Sequence, residues 1–307
     1  VKKSVTFQSN GLDIKGDLYV PDDYQAGQKL PAIVVSHPFG GVKEQTAGLY
    51  AQKLCMKGNV TLAFDASYQG ESAGEPRFLE DPFARAEDIR SAVSYLTTAD
   101  EVDPARIGAL GICASGGYVP YTAATDHRIK AVATVSAADM GSLFRDGLGG
   151  NGDAELRDGL LEAAAQDRTD QAHGKPARLE HIVPDTPAEV TEDTPALYAE
   201  GTDYYRTPRA QHPNAKNWYV VAGLDRIMAF DSYDHVDLIS PRPLLMIAGT
   251  MADTKYFSEQ AYAQAKEPKE LYLIDGATHI DLYDKPEYVT PAVERLDAFF
   301  DKYLAPA

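Results

Sequence analysis

The stretch Arg106-Ile107-Gly108-Ala109-Leu110-Gly111-Ile112-Cys113-Ala114-Ser115-Gly116-Gly117 decides how this chain is read. Its first half is a short apolar run, as expected of a strand buried on both faces. Its second half is a cluster of small residues. A strand that turns abruptly into a helix holds the residue at the turn exposed above the sheet. Backbone then approaches so closely that small residues are required two positions before it and two or three after it. Cys113 meets this rule, with Gly111 before it and Ser115 and Gly116 after it. Its sulfur would also sit near a helix N-terminus, which favours a thiolate. Ser115 is the alternative nucleophile. It has Gly117 two positions later but Cys113 two positions earlier, and choosing it moves the turn into what should already be helix. A third reading makes the glycine-rich turn a packing device only.

Outward from this turn, strands and helices alternate. Ala32-Ile33-Val34-Val35-Ser36 and Val60–Phe64 read as buried strands, separated by a helix over Thr46–Lys57 that Gly58 can end. A helix over Ala84–Leu96 precedes the strand Arg106–Leu110. A helix containing Tyr118–Thr125 and a strand over Ile129–Val135 follow. Further on come a strand over Pro243–Ala248, a helix over Ser258–Ala265, a strand over Lys269–Ile274 and a closing helix over Tyr288–Tyr303. This rhythm implies an α/β fold with a parallel sheet and right-handed crossovers. At the start, Ser4–Ser9 and Leu12–Val20 read as a hairpin joined by Asn10-Gly11, a pair that tolerates positive φ.

Between Ala137 and Ser240 the rhythm stops. Residues 151–200 carry twelve acidic and four basic side chains and are interrupted by Pro176, Pro184, Pro187 and Pro195. Leu156–Ala165 and Tyr198–Tyr205 are the helical candidates there. The expected organisation is a core of residues 1–137 and 241–307, with residues 138–240 inserted as a cap over the working edge of the sheet.

Composition narrows the function. The 307 residues are 44% hydrophobic, enough for a sizeable core. The net charge of −17, from 46 acidic and 29 basic side chains, opposes binding to a phosphate backbone or an anionic membrane. No apolar run approaches the ~20 residues that cross a bilayer, and the first residues lack the apolar stretch of a secretory signal. Cys55 and Cys113 are too few for a disulfide scaffold; reduced thiols in a cytoplasmic protein are expected. Oligomeric state is left open, a homo-oligomer included.

A thiol nucleophile needs a base. His279 follows the last strand, and Asp253 follows the strand before it, so loops at one sheet edge can gather both. Cys113 would attack, His279 would carry the proton, and Asp253 would hold the imidazole from its far nitrogen. The oxyanion would rest on the N–H of Ala114 and on the N–H of Phe39, in His37-Pro38-Phe39-Gly40-Gly41. His37 is expected chiefly to shape this loop and is a candidate pocket residue. Tyr68 and Trp218 are the others, with Tyr219, Phe230 and Tyr233 either lining the pocket or filling the core. Glu71 is a partner for Arg77. Cys55 reads as a small buried hydrophobe. Asp225, His235 and Asp237 have no metal-ligand spacing, and no nucleotide-binding glycine loop follows the first buried strand, so neither metal nor cofactor is expected.

With these residues in place, the chain resembles the α/β-hydrolases, in particular their dienelactone-hydrolase-like and small-esterase branch. The resemblance rests on His37–Gly41, Asp65–Ser72, the Cys113 turn, Asp253 and His279, and covers roughly Pro31–Ala138 and Arg242–Tyr303. It implies a mostly parallel eight-stranded sheet flanked by helices, and a cofactor-free nucleophile–His–Asp triad. Cysteine in the turn is similar to dienelactone hydrolases, whereas most esterases have serine. Ser115 departs from the pattern, which usually has glycine there. The expected activity is hydrolysis of a small ester, thioester or lactone, with a small-molecule acyl group as substrate. An acyltransferase using the same residues, or a binding protein that kept the fold without turnover, are the alternatives.

Overall fold

Periodicity within the central strands sets up the layers. In β3 (Leu30–Ser36), Ala32 and Val34 belong to one apolar core and Ile33 and Val35 to the other. Alternate residues of a strand point to opposite faces, so a continuously apolar strand must be covered on both sides. The computed structural model describes residues 1–306. It begins with the antiparallel hairpin of β1 (Lys2–Ser9) and β2 (Leu12–Tyr19), turned at Asn10 and Gly11, whose φ values of 47° and 77° are the left-handed pair such a turn requires.

After β3 come α1 (Thr46–Cys55), β4 (Val60–Phe64), α2 (Pro82–Thr98), β5 (Val102–Ile112), α3 (Ser115–Thr125) and β6 (Ile129–Val135). The chain then leaves the sheet for inserted elements: α4 (Met140–Asp146), α5 (Ala154–Ala172), the two-stranded ribbon β7 (Leu179–His181) and β8 (Trp218–Val220) with α6 (Ala196–Arg206) between its strands, and α7 (Leu224–Ala229). It returns for β9 (Leu244–Gly249), α8 (Lys255–Gln264), β10 (Lys269–Ile274), α9 (Asp281–Asp284) and α10 (Pro286–Tyr303). The eight strands lie in the order β1-β2-β4-β3-β5-β6-β9-β10, parallel except at β1-β2 and β2-β4. This is the expected α/β-hydrolase architecture. Among the described residues no helix is long and apolar enough to cross a membrane.

Element boundaries shift where local chemistry overrides periodicity. Helix α2 starts at Pro82 because the Asp81 carboxylate caps the N–H groups of Phe83 and Ala84 and proline suits the first helical position. Helix α3 contains Pro120, which cannot donate to the Gly116 carbonyl one turn back. The Tyr233 hydroxyl donates to that carbonyl at 3.1 Å instead. Tyr233 and Phe230 are therefore core residues, and they tie the inserted segment to the helix behind the turn.

β3 and β5 are neighbours, and their following connections depart in opposite directions across the sheet. At such a switch point the loops after the two strands part and leave a crevice. The loop holding Phe39 follows β3, and Cys113 follows β5.

Candidate active site

Cys113 sits between β5 and α3 with φ of 57°, the left-handed conformation of a strained strand-to-helix turn. Its N–H donates to the Val135 carbonyl, and its own carbonyl accepts from Gly116 and Ala138, so the strained residue is clamped from three sides. The close approach predicted at Gly111 is real. A Cβ there would lie 1.9 Å from the Ser115 carbonyl oxygen, which is backbone and cannot step aside. Gly111→Ala is therefore expected to destabilise the protein by about 1–3 kcal/mol or more, read as a lowered urea midpoint with an unchanged slope.

Ser115 faces the other way. It is fully buried, its Oγ lies 2.8 Å from Ser36 Oγ and 2.6 Å from the His37 carbonyl, and it accepts from Arg85 Nη2 at 2.7 Å. Every bonding direction of that hydroxyl is used beneath the turn. Arg85 also donates to the His37 carbonyl at 2.5 Å and to the Glu80 carboxylate, which in turn accepts from the Tyr118 hydroxyl at 2.9 Å. A buried charged pair thus links the two loops that carry the proposed oxyanion donors.

The sulfur opens upward onto a cavity of about 340 Å³. Phe39, Met140, Leu143 and Phe144 form one side, Leu156 and Leu160 of α5 another, and Ile182, Tyr198, Tyr205, Tyr219 and Tyr283 complete it. The inserted elements therefore roof the residue at the turn. Burial pushes the Cys113 thiol above its ordinary value, against the Tyr283 hydroxyl and the N–H groups of Ala114 and Phe39, which favour its anion. The N–H groups of Phe39 and Ala114 are thus both directed at the Cys113 sulfur.

His279 is buried, its carbonyl accepting from Ser136 Oγ at 2.9 Å. Its Nδ1 lies 2.5 Å from Thr254 Oγ1 and its Nε2 lies 3.1 Å from the Tyr283 hydroxyl. Burial drives the imidazole down to about 3. The expected Cys-His-Asp triad is not assembled: Asp253 makes no hydrogen bond or ion pair with His279. Its carboxylate accepts from the Leu197 N–H at 2.9 Å, at the start of α6, where a helix N-terminus attracts an anion. The adjacent Thr254 takes the place opposite the ring. Thr254 and Tyr283 were missed in the sequence because neither residue type marks a triad. Tyr283 carries one weak signal, its position four residues after His279.

None of the three predicted pocket residues lines the cavity. His37 is fully buried, with Nδ1 2.7 Å from the Pro38 carbonyl and Nε2 3.0 Å from the Ala66 N–H, so it shapes the loop. Burial and the nearby Arg85 hold it neutral. Tyr68 packs with Leu79, Val220 and Ala222 away from the thiol. Trp218 stacks at 4.1 Å on His181, behind the pocket wall, and its neighbour Tyr219 points in instead because successive strand residues face opposite sides. Glu71 pairs with Lys43 and not with Arg77, whose guanidinium donates to the carbonyls of Gly70, Ser72 and Gly74. Asp225 pairs with Arg168 and Asp237 with Lys266.

Cys55 is buried and its thiol is pushed up to about 11; both cysteines are free. Among the described residues, the carboxylates of Glu44, Asp65 and Glu71 come within 4.8 Å of one another. The Lys43 ammonium pairs with all three and supplies the positive charge there.

Comparison with known proteins gives the family. The model of the X-Pro dipeptidyl-peptidase family (S15) matches residues 10–281. The uncharacterized protein YcjY of Escherichia coli is 42% identical over 99% of this chain and 99% of its own. The crystal structure of the hypothetical protein PA2218 from Pseudomonas aeruginosa superposes with TM-score 0.92 at 38% identity, covering 99% of this chain and 94% of that one. The polyketide transferase grgF of a Penicillium species is 26% identical over 89% of this chain and 87% of its own. These findings correct the expected dienelactone-hydrolase-like or small-esterase branch with its cysteine turn. A dienelactone hydrolase from Anabaena variabilis shares the fold alone, at 16% identity and TM-score 0.56. Membership of the S15 family implies a serine nucleophile, so a cysteine at this turn is no family feature. The chain belongs to the X-Pro dipeptidyl-peptidase (S15) family, and is an enzyme of the hydrolase and esterase type on the α/β-hydrolase fold.

Proposed function

We propose that this protein hydrolyses esters or thioesters of apolar acyl groups, small lactones included, through an acyl-enzyme on Cys113. The observation carrying this reading is the left-handed turn that presents the Cys113 sulfur, with the Phe39 and Ala114 N–H groups beside it, at the floor of an apolar cavity. In the proposed reaction the sulfur attacks the acyl carbonyl, the two N–H groups hold the oxyanion, and His279 takes the proton and returns it to the leaving group. Thr254 supports the ring in place of Asp253.

A dipeptide substrate fits the site less well. Cleavage of a dipeptide from an amino terminus requires a counter-ion for the ammonium group, and among the described residues no aspartate or glutamate lines the cavity. An acyl chain needs only apolar walls. Acyl transfer to an alcohol or amine is the second reading, favoured by the relative named polyketide transferase. A free-thiol nucleophile also suits a reducing compartment, and we place the protein in the cytoplasm on that ground.

The test is intact-mass detection of an acyl adduct after mixing with activated acyl esters, followed by peptide mapping and by measuring product partition between water and added acceptors. An adduct on Cys113 that breaks down to free acid supports hydrolysis, and one that partitions to acceptor supports transfer. An adduct on any other residue sinks the assignment.

The acid–base state of the pair has its own signature. Burial raises the thiol and lowers the imidazole, so at neutral pH both are uncharged. Alkylation of Cys113 by iodoacetamide is therefore expected to rise continuously with pH, still climbing at pH 9, without the plateau near pH ~6–7 that marks a thiolate–imidazolium pair. His279 should contribute no acidic limb to kcat/KM above pH ~5, because it is already deprotonated there.

A further inference from the structure

The proton path from the nucleophile to the base carries an additional group. His279 holds no hydrogen bond to Cys113; its Nε2 is 3.1 Å from the Tyr283 hydroxyl, and its Nδ1 is engaged by Thr254. Tyr283 is buried four residues further along, on the short helix α9, and its ring packs edge-on against Tyr204 at 5.1 Å. Its hydroxyl lies beside the Cys113 sulfur and favours the thiolate, and both residues line the cavity. One hydroxyl thus bonds the base and lies beside the nucleophile at the cavity wall.

We propose that Tyr283 is a catalytic residue that relays the proton between Cys113 and His279. This rests on Cys113 being the nucleophile. As sulfur attacks, the thiol proton passes to the Tyr283 oxygen while Tyr283's own proton passes to His279 Nε2. The products of this step are a thiolate forming its bond to the acyl carbon, a neutral phenol and an imidazolium whose Nδ1–H is donated to Thr254. When the bond between acyl carbon and leaving group breaks, the proton returns along the same path to the leaving atom. No oxidant, metal or further reactant enters, and Tyr283 stays uncharged before and after each step.

A phenol suits this place because burial keeps it protonated, well above its ordinary value, with the neighbouring thiolate reinforcing that direction. It therefore exchanges one proton for another and does not end as phenolate. The relay also relieves the requirement that the imidazole reach the sulfur directly, which the Thr254 contact to the ring and the Ser136 bond to the His279 carbonyl restrict.

The test measures single-turnover acylation by an activated acyl ester in the wild type, Tyr283→Phe, Tyr204→Phe and Cys113→Ala. Tyr283→Phe is expected to lower the acylation rate by about 10²-fold or more, the usual range for lost proton transfer. Tyr204→Phe, which alters the same aromatic cluster without touching a reacting atom, should acylate at the wild-type rate. In mixtures of light and heavy water the wild type should show a curved proton inventory for two protons in flight. A linear inventory in the wild type overturns the relay even if Tyr283→Phe does not fold. Wild-type acylation by Tyr283→Phe overturns it too, leaving Cys113 as nucleophile intact. Acylation that survives in Cys113→Ala overturns the nucleophile assignment on which the relay rests.

Discussion

Cys113→Ala is expected to lower turnover of activated acyl esters by at least about a thousandfold and to remove the acyl adduct. Ser115→Ala should retain the adduct. The two side chains leave the same turn in opposite directions: the Cys113 sulfur faces the cavity, whereas the Ser115 hydroxyl is consumed by Ser36, His37 and Arg85 below it. Cys113→Ser is the more demanding comparison, because it restores the residue type that S15 membership implies. An alcohol proton is far harder to remove than a thiol proton. Its removal needs an imidazolium strongly stabilised from behind, and Thr254 offers a neutral hydroxyl where a triad has a carboxylate. Cys113→Ser is therefore expected to lose most of the activity as well. Wild-type turnover in Cys113→Ala, with loss in Ser115→Ala, would reverse the assignment.

The second large effect concerns stability. Arg85 and Glu80 are both almost fully buried beneath the turn, and the guanidinium stacks over Tyr118 at 5.1 Å. Burial already pushes the Glu80 carboxyl up against the restraining effect of Arg85. Arg85→Met removes the compensating charge and leaves the carboxylate desolvated. It also strips the His37 carbonyl of a charged donor. A loss of about 3–5 kcal/mol is expected, measured as the shift in urea unfolding free energy. The double variant Arg85→Met with Glu80→Gln should recover a substantial part, because no unpaired charge then remains buried. Equal destabilisation in the single and double variants would show that the lost donors to His37 and Ser115, and not the orphaned carboxylate, dominate.

Much of the fold was legible because short-range rules govern it. The apolar runs at Ala32–Val35 and Val60–Phe64 could only be strands covered twice, and Asn10-Gly11 could close a tight hairpin. The turn at Cys113 was readable because close backbone approach excludes side chains, leaving Gly111 as a visible trace. Where the sequence misled was the far side of the imidazole. An aspartate after a penultimate strand is a strong triad signal, yet Asp253 and Thr254 are adjacent. Which of them meets the ring depends on how one loop packs against the start of α6. That contact joins residues 56 positions apart and leaves no periodic mark.

The pocket shows the same division. No sequence pattern announced β8; once it forms, alternation turns Trp218 and Tyr219 opposite ways, and the packing of the inserted ribbon over the sheet decides that Tyr219 looks inward. The strand–helix alternation, the position of the strained turn and the placing of His279 after the last strand are properties of local sequence. They follow from steric exclusion and hydrophobic period, which act over a few residues. The orientation of His279, the engagement of Thr254 and Tyr283, and the apolar roof over Cys113 arise from contacts between distant segments. Those depend on how whole layers pack, which no short stretch of the chain encodes.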